Sequence, residues 1–485
     1  MKNLYWLSVF GATALWLLSL TAFASDDGPV FPDAYINAVP GDPDETPFWE
    51  RFDEPTLTAL VQKGLRRNYD LQALNERIRQ SESLARQSKS SLLPRVSAEA
   101  SWSIRQFDSV GPGYTSPATE AMMAAAAAAG VAVEGGETPA TMQTFIPSLK
   151  ASWGVDITGR NYLTYKASQL DVTSVKSDGA SLATSLATAI ADAYFGVAVA
   201  KVRLETAEEQ IATSQDFLEL VEARFDTGSA TALDVLQQRQ QLEAAKGRLP
   251  QVRQLLETSR QQLAVLLGTT NLSDLPEIDA VLPEPSPLPP TGDPERLLTA
   301  RPELRGASVK VRALVLREKA AFRTLLPSFA VSGQVGYQIN HSEETDHGET
   351  WSLAALLSIP LYQGGGTKSA LELARASTRA EILLLQQAAI KAVGEVESAL
   401  IRDKEQQAYM VSINQQLETS KTAFEEAKAR YTVGLSDYLN VLTALATHQT
   451  VQLTWVQAHL DWVSLRIALL SALGGDWSRA LESAR

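Results

Sequence analysis

The chain has 485 residues, a formal net charge of −13 and no cysteine. The missing cysteine excludes disulfides, thiolate metal sites, a cysteine nucleophile and a lipidated N-terminus. The acidic balance argues against nucleic acid as a partner, and a mean hydropathy of −0.09 gives no expectation of a helical membrane span in the mature chain.

Residues 1–24 read as a signal peptide: Lys2, an apolar run from Leu4 to Leu20, and Ala22-Phe23-Ala24 as a small-residue cleavage site. Residues 25–55, rich in Pro, Asp and Gly, should run extended. Leu57, Leu60, Val61, Leu65, Leu71, Leu74 and Ile78 fall at helical spacing. Strands follow at about 95–105 and 145–157, with Val96, Ala98, Ala100, Trp102 and Ile104 alternating against Ser97, Glu99, Ser101 and Ser103. Between them lies the low-complexity Met122–Pro139 stretch, expected to be a surface loop with a turn of Ala-rich helix.

The stretch from Asn161 to Phe225 contains no proline. Its 65 residues would make a helix about 98 Å long. A turn at Gly228 leads to a return helix over 230–267, expected to be interrupted at Pro250. A Pro-rich linker, 276–294, follows. The second half then repeats the order: strands at about 328–340 and 350–361, helices at 367–432 and 436–473, and a tail at 476–485.

The two halves are one unit written twice. Ala223-Arg224-Phe225-Asp226-Thr227-Gly228 returns 206 residues later as Ala429-Arg430-Tyr431-Thr432-Val433-Gly434. The same offset carries Leu267-Gly268 onto Leu473-Gly474. Upstream the offset is 233, carrying Leu93-Pro94 onto Leu326-Pro327, so the first copy (56–275) holds an insertion of 27 residues that the second (295–475) lacks. Duplication implies internal pseudo-symmetry. Long, mostly polar helices must pack as coiled-coil hairpins. Four strands cannot close a barrel, and open edges are not tolerated in lipid, so several chains must pool their strands.

These residues resemble the outer membrane efflux proteins, the TolC-like channel family, in the branch that includes OprM and NodT. The resemblance rests on Phe48-Trp49, Asn68-Tyr69-Asp70-Leu71, Arg301-Pro302-Glu303-Leu304, Leu326-Pro327-Ser328, Arg430-Tyr431 with Gly434, and Ala472-Leu473-Gly474-Gly475, in this order on the duplicated frame. It implies an α+β membrane protein of the Gram-negative outer membrane, spanning into the periplasm: a homotrimer with a 12-stranded β-barrel continued by a periplasmic α-helical coiled-coil tunnel. It implies no enzyme and no cofactor, but the exit duct of a tripartite efflux pump for small molecules and drugs. The partners would be a periplasmic adaptor protein, a proton-driven inner-membrane transporter and outer-membrane lipid. The rival of the same fold is the duct of a type I protein secretion system.

The resemblance also places the sites. The turns Thr227-Gly228-Ser229 and Val433-Gly434-Leu435 would contact the adaptor, and Arg430 and Tyr431 would pack the gate region. Leu439, Asn440 and Thr443 would line the pore constriction. Thr443 replaces the family's usual aspartate, so Asp437 and Asp234 become the candidate acidic rings. Both turn glycines also read as helix C-caps. Phe225-Asp226-Thr227-Gly228-Ser229 spells an aspartic-protease signature, but the second copy lacks the partner aspartate that this chemistry needs. His341 and His347 sit in an acidic loop, and His448 and His459, about 16 Å apart on one helix, are too distant to share a metal.

Overall fold

The computed structural model describes residues 31–41, 46–107, 117–130, 140–282, 285, 287–341 and 345–474. The signal peptide, residues 131–139 of the insertion, the acidic loop at 342–344 and the C-terminal tail lie outside them. In chain order the α-helices longer than one turn are α1 (Pro55–Arg67), α2 (Tyr69–Ser90), α3 (Pro117–Ala128), α4 (Arg160–Asp226), α5 (Ala232–Leu266), α6 (Pro302–Arg323), α7 (Gly366–Thr432) and α8 (Tyr438–Leu473). The strands are β1 (Arg95–Phe107), β2 (Ala140–Val155), β3 (Ser328–His341) and β4 (Thr345–Ser358). The fold class read from the sequence, two strands and a long helical hairpin repeated, is the one observed.

The chain divides into two compact units, and neither coincides with one repeat. One unit, 82–169 with 313–376, holds all four strands. They form one antiparallel sheet in the order β1-β2-β3-β4, with β1 and β4 as its edges. Cross-strand rows such as Ala98–Leu149–Val335–Trp351 keep one face apolar. Rows such as Ser97–Lys150–Gln334–Ser352 keep the other polar. The apolar face is bare, with Trp351 80% exposed. A soluble sheet buries such a face; lipid is the solvent that suits it. On the polar face Lys150 Nζ pairs with Glu99 Oε2 at 2.6 Å.

The other unit, 1–81 with 170–312 and 377–485, holds the helical hairpins. Its largest core joins Phe48, Trp49 and Leu57 to Ile190 and Phe195 of α4, Leu263 of α5 and Ile467 of α8. Two glycines carry the pseudo-symmetry into the backbone. Gly268 and Gly474 have φ of +71° and +70°, and a Cβ on either would lie 2.8 Å from a backbone oxygen, Arg67 O and Ala300 O respectively. Arg67 and Ala300 are related by the 233-residue offset. Only glycine tolerates both the left-handed φ and the close approach.

Two expectations needed correction. Pro250 does not interrupt α5, which runs unbroken through it. Proline removes one helical hydrogen bond at a cost of about 3 kcal/mol; here the ring is exposed, and Leu242, Ala245, Leu256 and Leu263 bury the same helix on either side. The insertion forms a helix of 12 residues rather than a single turn, as the helix propensity of alanine favours. The apolar centre of α4 passes for a membrane span by length and composition, yet 56% of that window is buried, marking a core helix.

Candidate functional site

Both hairpins end in the same backbone device. Ser229 N donates to Arg224 O at 2.7 Å and Gly228 N to Phe225 O at 2.9 Å. Leu435 N donates to Arg430 O at 2.8 Å and Gly434 N to Tyr431 O at 3.0 Å. With φ of +74° and +80°, each glycine closes a Schellman motif that satisfies orphan carbonyls and ends the helix. The protease-like signature is therefore a helix C-cap.

The side chains of the two turns differ. Thr227 Oγ1 donates to Arg224 O at 2.9 Å, and Thr227 and Ser229 hydroxyls meet at 3.4 Å. That turn is polar and self-bonded. Its counterpart presents Val433 and Leu435 to solvent, Leu435 79% exposed. Single exposed apolar residues are ordinary, but Leu439 adds a third within seven residues, 63% exposed, as its counterpart Leu233 is at 61%.

Beneath the turns, all four long helices meet in one core: Phe217 and Val221 from α4, Val235 and Leu242 from α5, Phe424 and Tyr431 from α7, Tyr438, Val441 and Leu445 from α8. Polar bonds cross it. Tyr438 Oη donates to Gln238 Oε1 at 3.1 Å, and Gln238 Nε2 donates to Ser214 O at 2.9 Å. Gln449 Nε2 reaches Ser214 Oγ at 3.3 Å. Burial, reinforced by Asp234 and then Tyr431, holds the Tyr438 phenol well above its usual range, so it stays a donor. Among the described residues the buried Tyr431 hydroxyl finds no hydrogen-bond partner.

The residues named from the sequence separate into groups. Arg430 is exposed and pairs with Glu426 of its own helix at 2.7 Å. The guanidinium that packs on Tyr431 belongs to Arg224, the equivalent of Arg430 in the first copy, 4.3 Å from the ring centre and bonded to the Tyr431 carbonyl. Asp234 is half-buried and committed to a capping box: its Oδ2 accepts from Thr231 N at 2.8 Å, and Thr231 Oγ1 accepts from Asp234 N at 3.2 Å. Asp437 is the exposed N-cap of α8, and its side chain makes no capping bond.

Leu439, Asn440 and Thr443 are all exposed on the first turns of α8. The same face continues as Thr447, Thr450 and Thr454, uncharged until Asp461. Each of the four threonine hydroxyls donates to the carbonyl four residues before it, at 2.8–2.9 Å. That ladder was missed in the sequence, although its 4-3-4 spacing marks one helical face. His448 stacks on Phe424 with ring centres 6.2 Å apart, and its Nδ1 lies 3.1 Å from Ser420 Oγ. Among the described residues no metal-binding cluster of His, Cys, Asp or Glu is found.

The sequence matches the Outer membrane efflux protein family over residues 60–269 and 294–475. The pyoverdine export outer membrane protein OpmQ of Pseudomonas aeruginosa is 27% identical over 438 residues, 89% of this chain and 87% of the relative. The toluene efflux pump outer membrane protein TtgF of Pseudomonas putida is 24% identical over 429 residues, 88% of this chain and 84% of the relative. Among solved structures, the outer-membrane channel OprN superposes with a TM-score of 0.78 at 25% identity, covering 93% of this chain and 99% of that one. The duplicated frame, the two-faced sheet and these matches agree: the chain belongs to the outer membrane efflux protein family.

Proposed function

We propose that three copies of this chain close a 12-stranded barrel in the outer membrane and form the exit duct of a tripartite efflux pump. The observation that carries the reading is the four-stranded sheet, with one apolar and one polar face and two edges that pair with no other strand among the described residues. Lipid admits no open edge, so further copies must pair β4 with β1. The polar face then lines the barrel interior. Small organic molecules are the substrate class, in keeping with relatives named for pyoverdine export and toluene efflux.

The hairpin turns are the docking ends for a periplasmic adaptor, which in turn joins a proton-driven inner-membrane transporter. The apolar Val433-Gly434-Leu435 turn and the polar Thr227-Gly228-Ser229 turn offer two chemically distinct contacts. Leu439, Asn440 and Thr443 form the constriction, with Asp437 as the acidic ring beside it. Arg224, Tyr431 and Tyr438 tie the two hairpins of one chain together, holding the resting duct closed. In-cell crosslinking from the turn residues, followed by purification, tests the assignment. The expected co-purifying species are an adaptor and a proton-driven transporter. An ATP-driven transporter with a protein cargo would instead make this a secretion duct.

A further inference from the structure

The register puts every strand–helix junction at one end of the sheet. Arg95 pairs with Ser152, Val155 with Phe329, and Ser328 with Ser358. The four chain segments at that end, 82–94, 154–169, 313–327 and 361–376, carry nine Lys and Arg against four Asp and Glu. The whole chain has the opposite balance, 43 against 56. The charge is thus concentrated as a basic rim directly below the strands.

The rim is built as well as charged. Lys89, Arg160, Lys319 and Lys368 are exposed. Arg323 lies flush on Gly159, where a Cβ would come 2.5 Å from its Nη1. Arg323 and Arg160 line a cavity of about 350 Å³ whose wall includes Asn161 and Gln363. The carboxylate of Asp156 in that wall is already occupied, accepting from Asn161 N at 3.1 Å and Tyr162 N at 2.8 Å. Apolar and aromatic side chains stand beside the bases: Leu361 is 94% and Tyr362 88% exposed, and Lys166 Nζ sits 5.7 Å over the Tyr162 ring. An exposed aromatic belt next to basic residues is the chemistry of a bilayer–water border.

We propose that this rim binds the headgroups of anionic phospholipids in the leaflet at the helix end of the barrel, with Arg160 and Arg323 holding the phosphate in the corner cavity. Lipid is the occupant favoured by charge complementarity and by continuity with the apolar sheet face. The inference rests on the reading of the sheet as a membrane barrel.

Native mass spectrometry of the detergent-purified full-length protein, with equal phosphatidylglycerol and phosphatidylcholine, tests it. Phosphatidylglycerol should be retained over phosphatidylcholine by about fivefold or more. Arg160→Gln/Arg323→Gln/Lys368→Gln should bring the ratio close to one. Lys246→Gln/Arg253→Gln/Arg260→Gln, which removes three bases from α5, should leave it unchanged. Millimolar inorganic phosphate should not displace the lipid. No lipid preference in the wild type, equal loss in both variants, or displacement by phosphate would each overturn the proposal. So would an altered anion-to-cation permeability ratio with lipid retention intact, because the bases would then face the duct. Wild-type protein that shows the lipid preference but conducts no ions would instead defeat the duct reading and leave the lipid site standing.

Discussion

Arg224 of the first repeat reaches Tyr431 of the second, with its guanidinium carbon 4.3 Å from the ring centre and a bond to the Tyr431 carbonyl. The contact joins two hairpins of one chain through a cation–π interaction and a charged hydrogen bond, together worth about 2 kcal/mol. Arg224→Ala should therefore lower the thermal midpoint and raise the open probability in planar bilayers. Arg430→Ala removes a surface pair worth about 0.3–0.5 kcal/mol and should change neither. Equal effects from the two substitutions would show that the inter-hairpin tie does not hold the turns.

The acidic candidates should separate. Asp437→Asn should lower cation preference in a salt gradient, because its carboxylate is exposed and makes no capping bond. Asp234→Ala should act mainly on stability, since it removes the acceptor of the Thr231 N–H that closes the capping box. Thr443→Asp should raise cation preference, and Leu439→Ala should raise conductance. An unaltered reversal potential in Asp437→Asn would remove that residue from the pore.

Asp403 and Arg466 form a buried pair, 0% and 2% exposed, joined by bonds of 2.9 and 3.0 Å. Gln407 Nε2 adds a third contact to the same carboxylate at 2.8 Å. Removing one partner strands the other charge, at about 3–5 kcal/mol. Asp403→Ala or Arg466→Ala should each lower the thermal midpoint sharply. The double change Asp403→Leu/Arg466→Met should recover much of the loss. If the single changes are silent, the pair is not what holds α7 to α8.

His448 gives a pH dependence with a definite sign. Burial pushes its imidazole below the usual value; Glu209 and Glu425 pull it up, and Lys421 pushes it down. The folded state thus favours neutral His448. Its contribution is fully present above the unfolded pKa of about 6.5 and is lost as pH falls through the lower folded value. Thermal unfolding between pH 7.5 and 5 should show a decline that His448→Gln flattens. An identical decline in the variant would assign it to other groups.

Much of the fold was legible because its signals are periodic. Period-two alternation marked the strands, and long proline-free runs marked α4 and α7. The repeated Gly228 and Gly434 marked the turns. Pro250 misled because a proline on an exposed helix face costs one hydrogen bond, which burial on the opposite face outweighs. The turn cluster was only half legible. Arg224 and Arg430 are equivalent in sequence, and nothing local says which one crosses to the other hairpin. That depends on the long-range contact of α4 with α7, as does the pairing of Gln238 with Tyr438. Asp234 and Asp437 were separable in sequence, because the 206-residue offset pairs Asp437 with the N-cap Thr231 and Asp234 with Asn440.

On the proposed reading, this chain works as a channel made of three copies. Native mass spectrometry of the purified membrane protein, on the same sample used for planar-bilayer recording, tests it most directly. The expected result is a three-chain particle that conducts ions. A stable single chain with full helix content and no conductance would contradict it.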